Sequence, residues 1–265
     1  MDAVSNFPNA VEAVLLAGGK FEDVPSGEAV PRSKGLLPIG GIPMAARTLR
    51  ALHRSPAVSR VVLVSSVPAE DLEQQHWQGV DRVVPAGERL IDSFKAGVDA
   101  VADPTVPAMV VVGDLPLLTD EAVTDWLDRC RARDDAAIWY SFVRKSNSEA
   151  AFPGTRHTYV PFREGTFCGA GFFMSRPEAL GPLYQAMTRL TYARKNPLKL
   201  AGLLGWGIIF SLLTRRLTVP QVERGMSRLL GGIACAGIET PYPETAFNVD
   251  DLDALLEARR YLEAI

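Results

Sequence analysis

Polar and apolar positions fall into two alternating textures along the chain. Short, mostly apolar runs occur at Val11–Ala17, Arg60–Ser66, Asp81–Pro85, Ala108–Val112 and Ala136–Val143. Runs of this length and composition suit strands, and the longer ones read as strands buried on both faces. Between them the apolar residues return at helical spacing. Pro43 opens a helix to about His53, where its fixed backbone angle suits the first turn. Further helices are predicted over Pro68–Trp77, over Gly87–Ala102 with Leu90, Phe94, Val98 and Val101 on one face, and over Thr119–Arg133. Asp120 and Glu121 match the positive end of the last of these. Strands that alternate with helices predict an α/β fold whose central sheet is mostly parallel, with right-handed crossovers.

The second half is less regular. Arg144–Phe162 mixes prolines, aromatics and charge and yields no clear element. Phe167–Ser175 reads as a strand, followed by a helix from near Pro177, and Gly231–Ile238 reads as another strand. The chain closes on a helix carrying Leu252, Leu255, Leu256 and Leu262. Between Leu183 and Leu230 the pattern is helix-rich, broken at Pro197 and near Thr218, and Thr218–Gln221 has the form of a capping box. Its most apolar part, Leu200–Leu213, would reach about 21 Å as a helix, short of the about 30 Å core of a bilayer. Three readings stand for it. It is an internal core helix or a homodimer helix through 198–214; or it makes peripheral membrane contact, with Arg194, Lys195, Lys199, Arg215 and Arg216 facing lipid phosphates; or it lines a pocket for a hydrophobic acceptor. Gly202, Gly205 and Gly207 weaken a free helix and favour a packed one.

Composition narrows the functional classes. The 265 residues can bury a sizeable core as a single domain, 1–265, with 183–230 as a helical insertion. A formal net charge of −3 argues against a nucleic-acid binder. Cys130, Cys168 and Cys235 are far apart and lack metal-ligand spacing, which suits a reducing cytoplasm. The first residues show neither the basic start nor the apolar centre of a signal peptide, so a cytoplasmic location is expected. His53, His76 and His157 are scattered and suggest no histidine metal site.

The candidate chemistry starts where the first strand ends. Leu16 and Ala17 run into Gly18-Gly19, which let the backbone turn sharply and leave the amides open to a ligand. Neither the phosphate-cradling G-x-x-x-x-G-K-[ST] loop nor G-x-G-x-x-G is present. A polar loop follows instead, with Lys34 ahead of Leu37, Gly41 and Pro43. Ala108–Val112 ends in Gly113-Asp114, a carboxylate at the edge of an open sheet where ligands gather. A carboxylate there can ligate Mg²⁺, or it can simply cap its own turn. Asn248 and Asp250 are two apart and point the same way in an extended chain; Asp250 or Asp251 can alternatively cap the last helix.

These residues resemble the signature of nucleoside-triphosphate transferases of the sugar-nucleotide pyrophosphorylase and molybdenum-cofactor guanylyltransferase type, L-A-x-G, then P-K-x-L and G-x-P. The resemblance implies a Rossmann-like three-layer sandwich and transfer of a nucleoside monophosphate from a nucleoside triphosphate to a phosphorylated acceptor, with release of pyrophosphate. It implies Lys34 and Asp114 as catalytic residues, and Asp114, Asn248 and Asp250 as Mg²⁺ ligands. It places Leu16, Ala17, Gly18, Gly19 and Gly113 about the nucleotide, Ser93 near the base, and Gly171 beside the second substrate. Ser93 reads alternatively as a polar residue on an exposed helix face. One departure stands out: the family's arginine a few residues after the glycines is missing, and Lys20 or Arg32 is left to grip pyrophosphate. The rival readings are a nucleotide-sugar glycosyltransferase, which usually carries Asp-x-Asp where this chain has Gly113-Asp114-Leu115-Pro116, and an inactive nucleotide-binding or membrane scaffold.

Overall fold

The computed structural model describes residues 7–21, 25, 27, 29–193, 202–203 and 205–263. In chain order the strands are β1 (Val11–Leu16), β2 (Pro38–Ile39), β3 (Ile42–Pro43), β4 (Val58–Ser65), β5 (Arg82–Pro85), β6 (Ala108–Val112), β7 (Ile138–Arg144), β8 (Val160–Phe162), β9 (Gly165–Ser175) and β10 (Cys235–Thr240). The helices are α1 (Met44–Arg54), α2 (Leu90–Val98), α3 (Asp120–Arg131), α4 (Lys145–Ala151), α5 (Pro177–Ala193), α6 (Trp206–Leu213), α7 (Val219–Leu229) and α8 (Leu252–Glu263).

One sheet runs β10-β7-β9-β6-β1-β4-β5, with β8 paired to β9. It is mostly parallel, as expected, and β9 is the exception, lying antiparallel to β6, β7 and β8. Alternation along β1 shows why the sheet is a middle layer. Ala13 and Leu15 pack toward α1 and α3, in a cluster with Leu49, Trp126 and Phe172, whereas Val14 packs toward α2 and α5 with Phe94 and Leu183. Glu12 is the polar exception inside β1. Its carboxylate accepts the N–H groups of Ala102 and Asp103, which satisfies the buried charge and fixes the loop after α2.

Several expected elements are corrected. Pro68–Trp77 is not a helix but two short 3-10 turns, Ala69–Asp71 and Gln74–His76. Leu72 and Trp77 are five apart, so a helix could not bury both on one face, and the irregular path does. The helix expected from Gly87 begins at Leu90. The strand expected at Gly231 begins at Cys235, because Gly231 and Gly232 turn the chain with φ of 73° and 102°. No strand leads into Asn248; Pro243–Ala246 is a 3-10 turn and the next residues are held singly, Val249 N–H donating to Asp114 O at 3.1 Å.

The capping box at Thr218 is present at the start of α7. The internal-core reading of the apolar segment fails for α6, which leaves Trp206, Phe210 and Leu213 exposed. Residues 200, 201 and 204 of that segment lie outside the described residues. Among the described residues no helix is long and apolar enough to cross a membrane.

Close packing of α2 on the sheet gives a stability test. A Cβ at Gly97 would overlap Val14 Cγ1 and come within 2.8 Å of Val64 Cγ2, while one at Gly207 in α6 would meet nothing within 4 Å. Gly97→Ala should cost about 1–3 kcal/mol through overpacking. Gly207→Ala should gain about 0.5–1 kcal/mol of helix propensity. Urea unfolding of both variants checks the opposite signs.

Candidate active site

The parallel strands β1, β4, β5 and β6 end on the same edge of the sheet, and the candidate residues lie there. After β1 the chain turns at Gly18 and at Gly19, whose φ is 96°. The following loop is then tied back to the strand end: Ser33 Oγ donates to Ala17 O at 2.6 Å and Lys34 N–H to Gly19 O at 2.9 Å. Gly35 makes this possible, since a Cβ there would lie 2.7 Å from Ala17 O. Lys34 is thereby aimed across the end of β6.

Its ammonium donates to Asp114 Oδ2 at 2.5 Å and to Asp250 Oδ1 at 2.6 Å. Asn248 Nδ2 donates to Asp114 Oδ1 at 2.8 Å. An amide oxygen facing that carboxylate would be repelled, so this orientation holds Asp114 in place and does not offer it a ligand oxygen. Burial alone would lower the Lys34 pKa, but the Asp114 and Asp250 carboxylates outweigh it and the net direction is upward. The lysine is therefore a firmly charged cation held between two anions. Asp251 does the capping, accepting Ala254 N–H at 2.9 Å, which frees Asp250 to face Lys34.

Two cavities flank this cluster. One, of about 240 Å³, is lined by Leu16, Gly18, Gly19, Lys34, Gly113 and Asp114, with Gly87, Arg89 and Ser93 opposite. Ser93 is buried and its Oγ accepts Gly87 N–H at 3.0 Å, so it is not on an exposed helix face. The other cavity, of about 410 Å³, is lined by Asn248, Asp250, Thr155, Arg156, His157 and Glu257. In its wall His157 Nε2 is buried without a hydrogen-bond partner, and burial lowers the ring's pKa. Asp250 borders this second cavity and binds the lysine that borders the first.

Not every expected residue is gathered here. Arg32 points elsewhere, paired with Asp71 at 2.8 Å, and Lys20 is exposed and lines neither cavity. Gly171 packs against the end of β6, where a Cβ would lie 2.6 Å from Val112 Cγ2 and 2.7 Å from Leu115 Cδ1. Sequence reasoning missed Arg89, Arg156 and His157. A glycine and arginine just after a strand and just before a helix was the available signal for Arg89. Arg156 and His157 sit in the stretch whose pattern was irregular.

Asp114 and Asp250 offer hard oxygen donors of the kind Mg²⁺ takes, so the donor chemistry fits that ion. Among the described residues no group of three or more His, Cys, Asp or Glu side chains gathers around a possible metal position. Any further donors would be water or substrate oxygens, as is usual for magnesium.

Comparison with known proteins adds the family context. The family profile of the MobA-like NTP transferase domain matches residues 13–198. A 2-C-methyl-D-erythritol 4-phosphate cytidylyltransferase of Frankia casuarinae is 30% identical over 113 residues, which is 43% of this chain and 41% of that protein. That match thus spans less than half of the relative. A hypothetical transferase from Thermus thermophilus is similar at 32% identity and TM-score 0.79, covering 93% of this chain and 99% of that one. A 4-diphosphocytidyl-2C-methyl-D-erythritol synthase of Anaerococcus prevotii shares the fold at 13% identity and TM-score 0.61, with 96% and 99% of the two chains covered.

The neighbouring aspartates separate by experiment. Asp251→Ala should cost about 1 kcal/mol as a lost helix cap. Asp250→Ala, whose side chain is 76% exposed, should stay within about 1 kcal/mol of the parent. Urea midpoints report both, and a larger loss for Asp250→Ala than for Asp251→Ala would contradict the division of roles.

Proposed function

The chain belongs to the MobA-like NTP transferase family, and from that premise we propose that it moves a nucleoside monophosphate from a nucleoside triphosphate to a phosphorylated small molecule, releasing pyrophosphate. The supporting observation is the Lys34–Asp114–Asp250 cluster standing between two cavities. The relatives favour nucleotidyl transfer over glycosyl transfer. The Frankia relative is a cytidylyltransferase, which makes CTP the first triphosphate to try.

The reaction joins two anions, so its barrier is largely electrostatic, and the protein supplies charge and alignment with little covalent chemistry. In this reading the cavity with Gly18 and Gly19 takes the triphosphate, the backbone amides at the end of β1 approaching its oxygens. Lys34 neutralises charge gathering at the α-phosphorus in the transition state. The acceptor enters the cavity bordered by Asp250, where the exposed Arg156 can meet its anionic oxygens. Arg89 takes the place of the missing pyrophosphate arginine, because it lines the glycine cavity while Lys20 and Arg32 do not, and pyrophosphate would compete with Asp92 for its guanidinium. Asp114 and Asp250 would hold Mg²⁺, which when bound supplies further neutralisation of phosphate oxygens. Asn248 keeps Asp114 oriented for that task.

Binding and turnover test this reading. Among the four nucleoside triphosphates, one should raise the melting temperature in a Mg²⁺-dependent way; saturation at a hundredfold Kd is worth about 2.7 kcal/mol. Asp114→Asn should remove the Mg²⁺-dependent part. Lys34→Ala should lower the rate of pyrophosphate release by about 10²–10³-fold. Absence of any triphosphate-dependent shift, or full turnover without Lys34, would sink the proposal.

A further inference from the structure

The sheet face that carries α2 and α5 holds a third cavity, remote in chemistry from the two already described. It is a groove of about 410 Å³ over β7, β8, β9 and β10, bounded by α5 and α7. Its lining is aromatic and aliphatic: Tyr140, Phe142, Phe162, Phe167, Phe173 and Met226. Its volume falls in the range of small-molecule sites. Gly169 lets the Tyr140 ring lie flat along the floor, as a Cβ there would strike its hydroxyl. The carboxylate in the lining, Glu223, is spoken for, accepting Gly237 N–H at 2.8 Å and facing Arg133 at 3.4 Å. Burial pushes the lining thiols Cys168 and Cys235 up to about 11, so they are uncharged at neutral pH.

Arginines lie on both segments that adjoin this groove. Arg163 N–H donates to Leu217 O at 2.7 Å, setting the turn after Phe162 beside the segment that leads into Val219, and both Phe162 and Val219 line the groove. Arg163, Arg215 and Arg216 are exposed on these two segments, and none of the three has a carboxylate partner among the described residues. Glu164, the acid nearest in sequence, accepts Val219 N–H at 3.3 Å. Arg215 has φ 55°, a left-handed conformation that glycine usually supplies at the end of a helix. The α6 helix, which ends there, exposes Trp206, Phe210 and Leu213.

We propose that the groove binds a single-chain phosphorylated lipid, its chain on the aromatic floor and its phosphate against Arg163, Arg215 and Arg216. The apolar lining selects the chain, and the unpaired arginines complement an anionic head. The exposed face of α6 beside a basic pair is the surface on which such a lipid would be met at a membrane. This inference does not depend on nucleotidyl transfer, since the groove shares no lining residue with the two cavities around Lys34.

Dodecyl phosphate below its micellar concentration is the probe, titrated calorimetrically into the full chain. One saturable site is expected, with no saturable binding of inorganic phosphate and at least tenfold weaker binding of dodecyl maltoside. Val222→Trp, which fills the groove from α7, should abolish the site with the melting curve retained. Arg215→Ala combined with Arg216→Ala, both on the surface, should weaken dodecyl phosphate at least tenfold and leave dodecyl maltoside unchanged. Lack of saturation, or binding that survives both sets of changes, overturns the proposal. So does light scattering that shows a dimer which Val222→Trp converts to monomer, because the groove would then hold a second copy.

Discussion

A single ammonium group ties together chain segments that are otherwise far apart. Asp114 and Asp250 lie 80 and 216 positions along the chain from Lys34, and all three meet within hydrogen-bond reach. A largely buried cation must be paired, since stripping water from an unpartnered charge costs several kcal/mol. The requirement acts on everything around it. The β1–β6 pairing brings the glycine turn beside Gly113-Asp114. The bonds from Ser33 and Lys34 to the end of β1 aim the lysine, and Val249 N–H on Asp114 O brings in the third segment. The two ion pairs are not equal. Asp114 shares the burial of Lys34, each side chain being 15% exposed, so it sets the lysine's charge. Asp250 is open to water, where an ion pair is worth about 0–1 kcal/mol, and it is therefore the partner most easily released to another ligand.

What the sequence revealed depended on whether a residue's role was local. Gly18, Gly19 and Asp114 sit at strand ends, and a strand end is visible as an apolar run that stops. Period-two spacing paired Asn248 with Asp250 but left either Asp250 or Asp251 as the helix cap, and the bond from Ala254 N–H to Asp251 assigns it; Asn248 and Asp250 do face one side while Val249 is buried, although no strand forms there. Arg89 was not legible in the same way. It looks like an ordinary charge before a helix, and it shares a cavity with the glycine turn because the loop after β5 lies on the same sheet edge as the end of β1. The same limit hid the state of α6. Its glycines favoured a packed helix while membrane and pocket readings stayed open, because composition does not say what covers a surface.

The two faces of the sheet are packed to different standards. On the α1 and α3 side Trp126, Trp139 and Phe172 are fully buried, with Trp126 and Phe172 at a 5.3 Å ring separation. On the other side α2 seals β1 and β4, Gly97 allowing contact that any side chain would block. Beyond it, over β7, β9 and β10, small strand residues lie beneath aromatic ones and the space is left open. Gly237, for example, stands under Phe142 and Val219. A chain selected only for stability would fill such a space, since close packing is the norm for protein interiors.

The segment that closes this open side carries costs of its own. Burying a side chain such as Phe or Leu is worth about 1.5–3 kcal/mol, and α6 forgoes that for Phe210 and Leu213. Holding a non-glycine residue in the left-handed region costs about 1–2 kcal/mol, and Arg215 does so at the end of the same helix. Part of this is returned, since a cation is favoured at a helix C-terminus by about 0.3–1 kcal/mol. The remainder is not explained by contacts within the chain. Exposed apolar side chains and a strained, unpaired arginine make sense together where something outside the chain supplies both an apolar and an anionic partner.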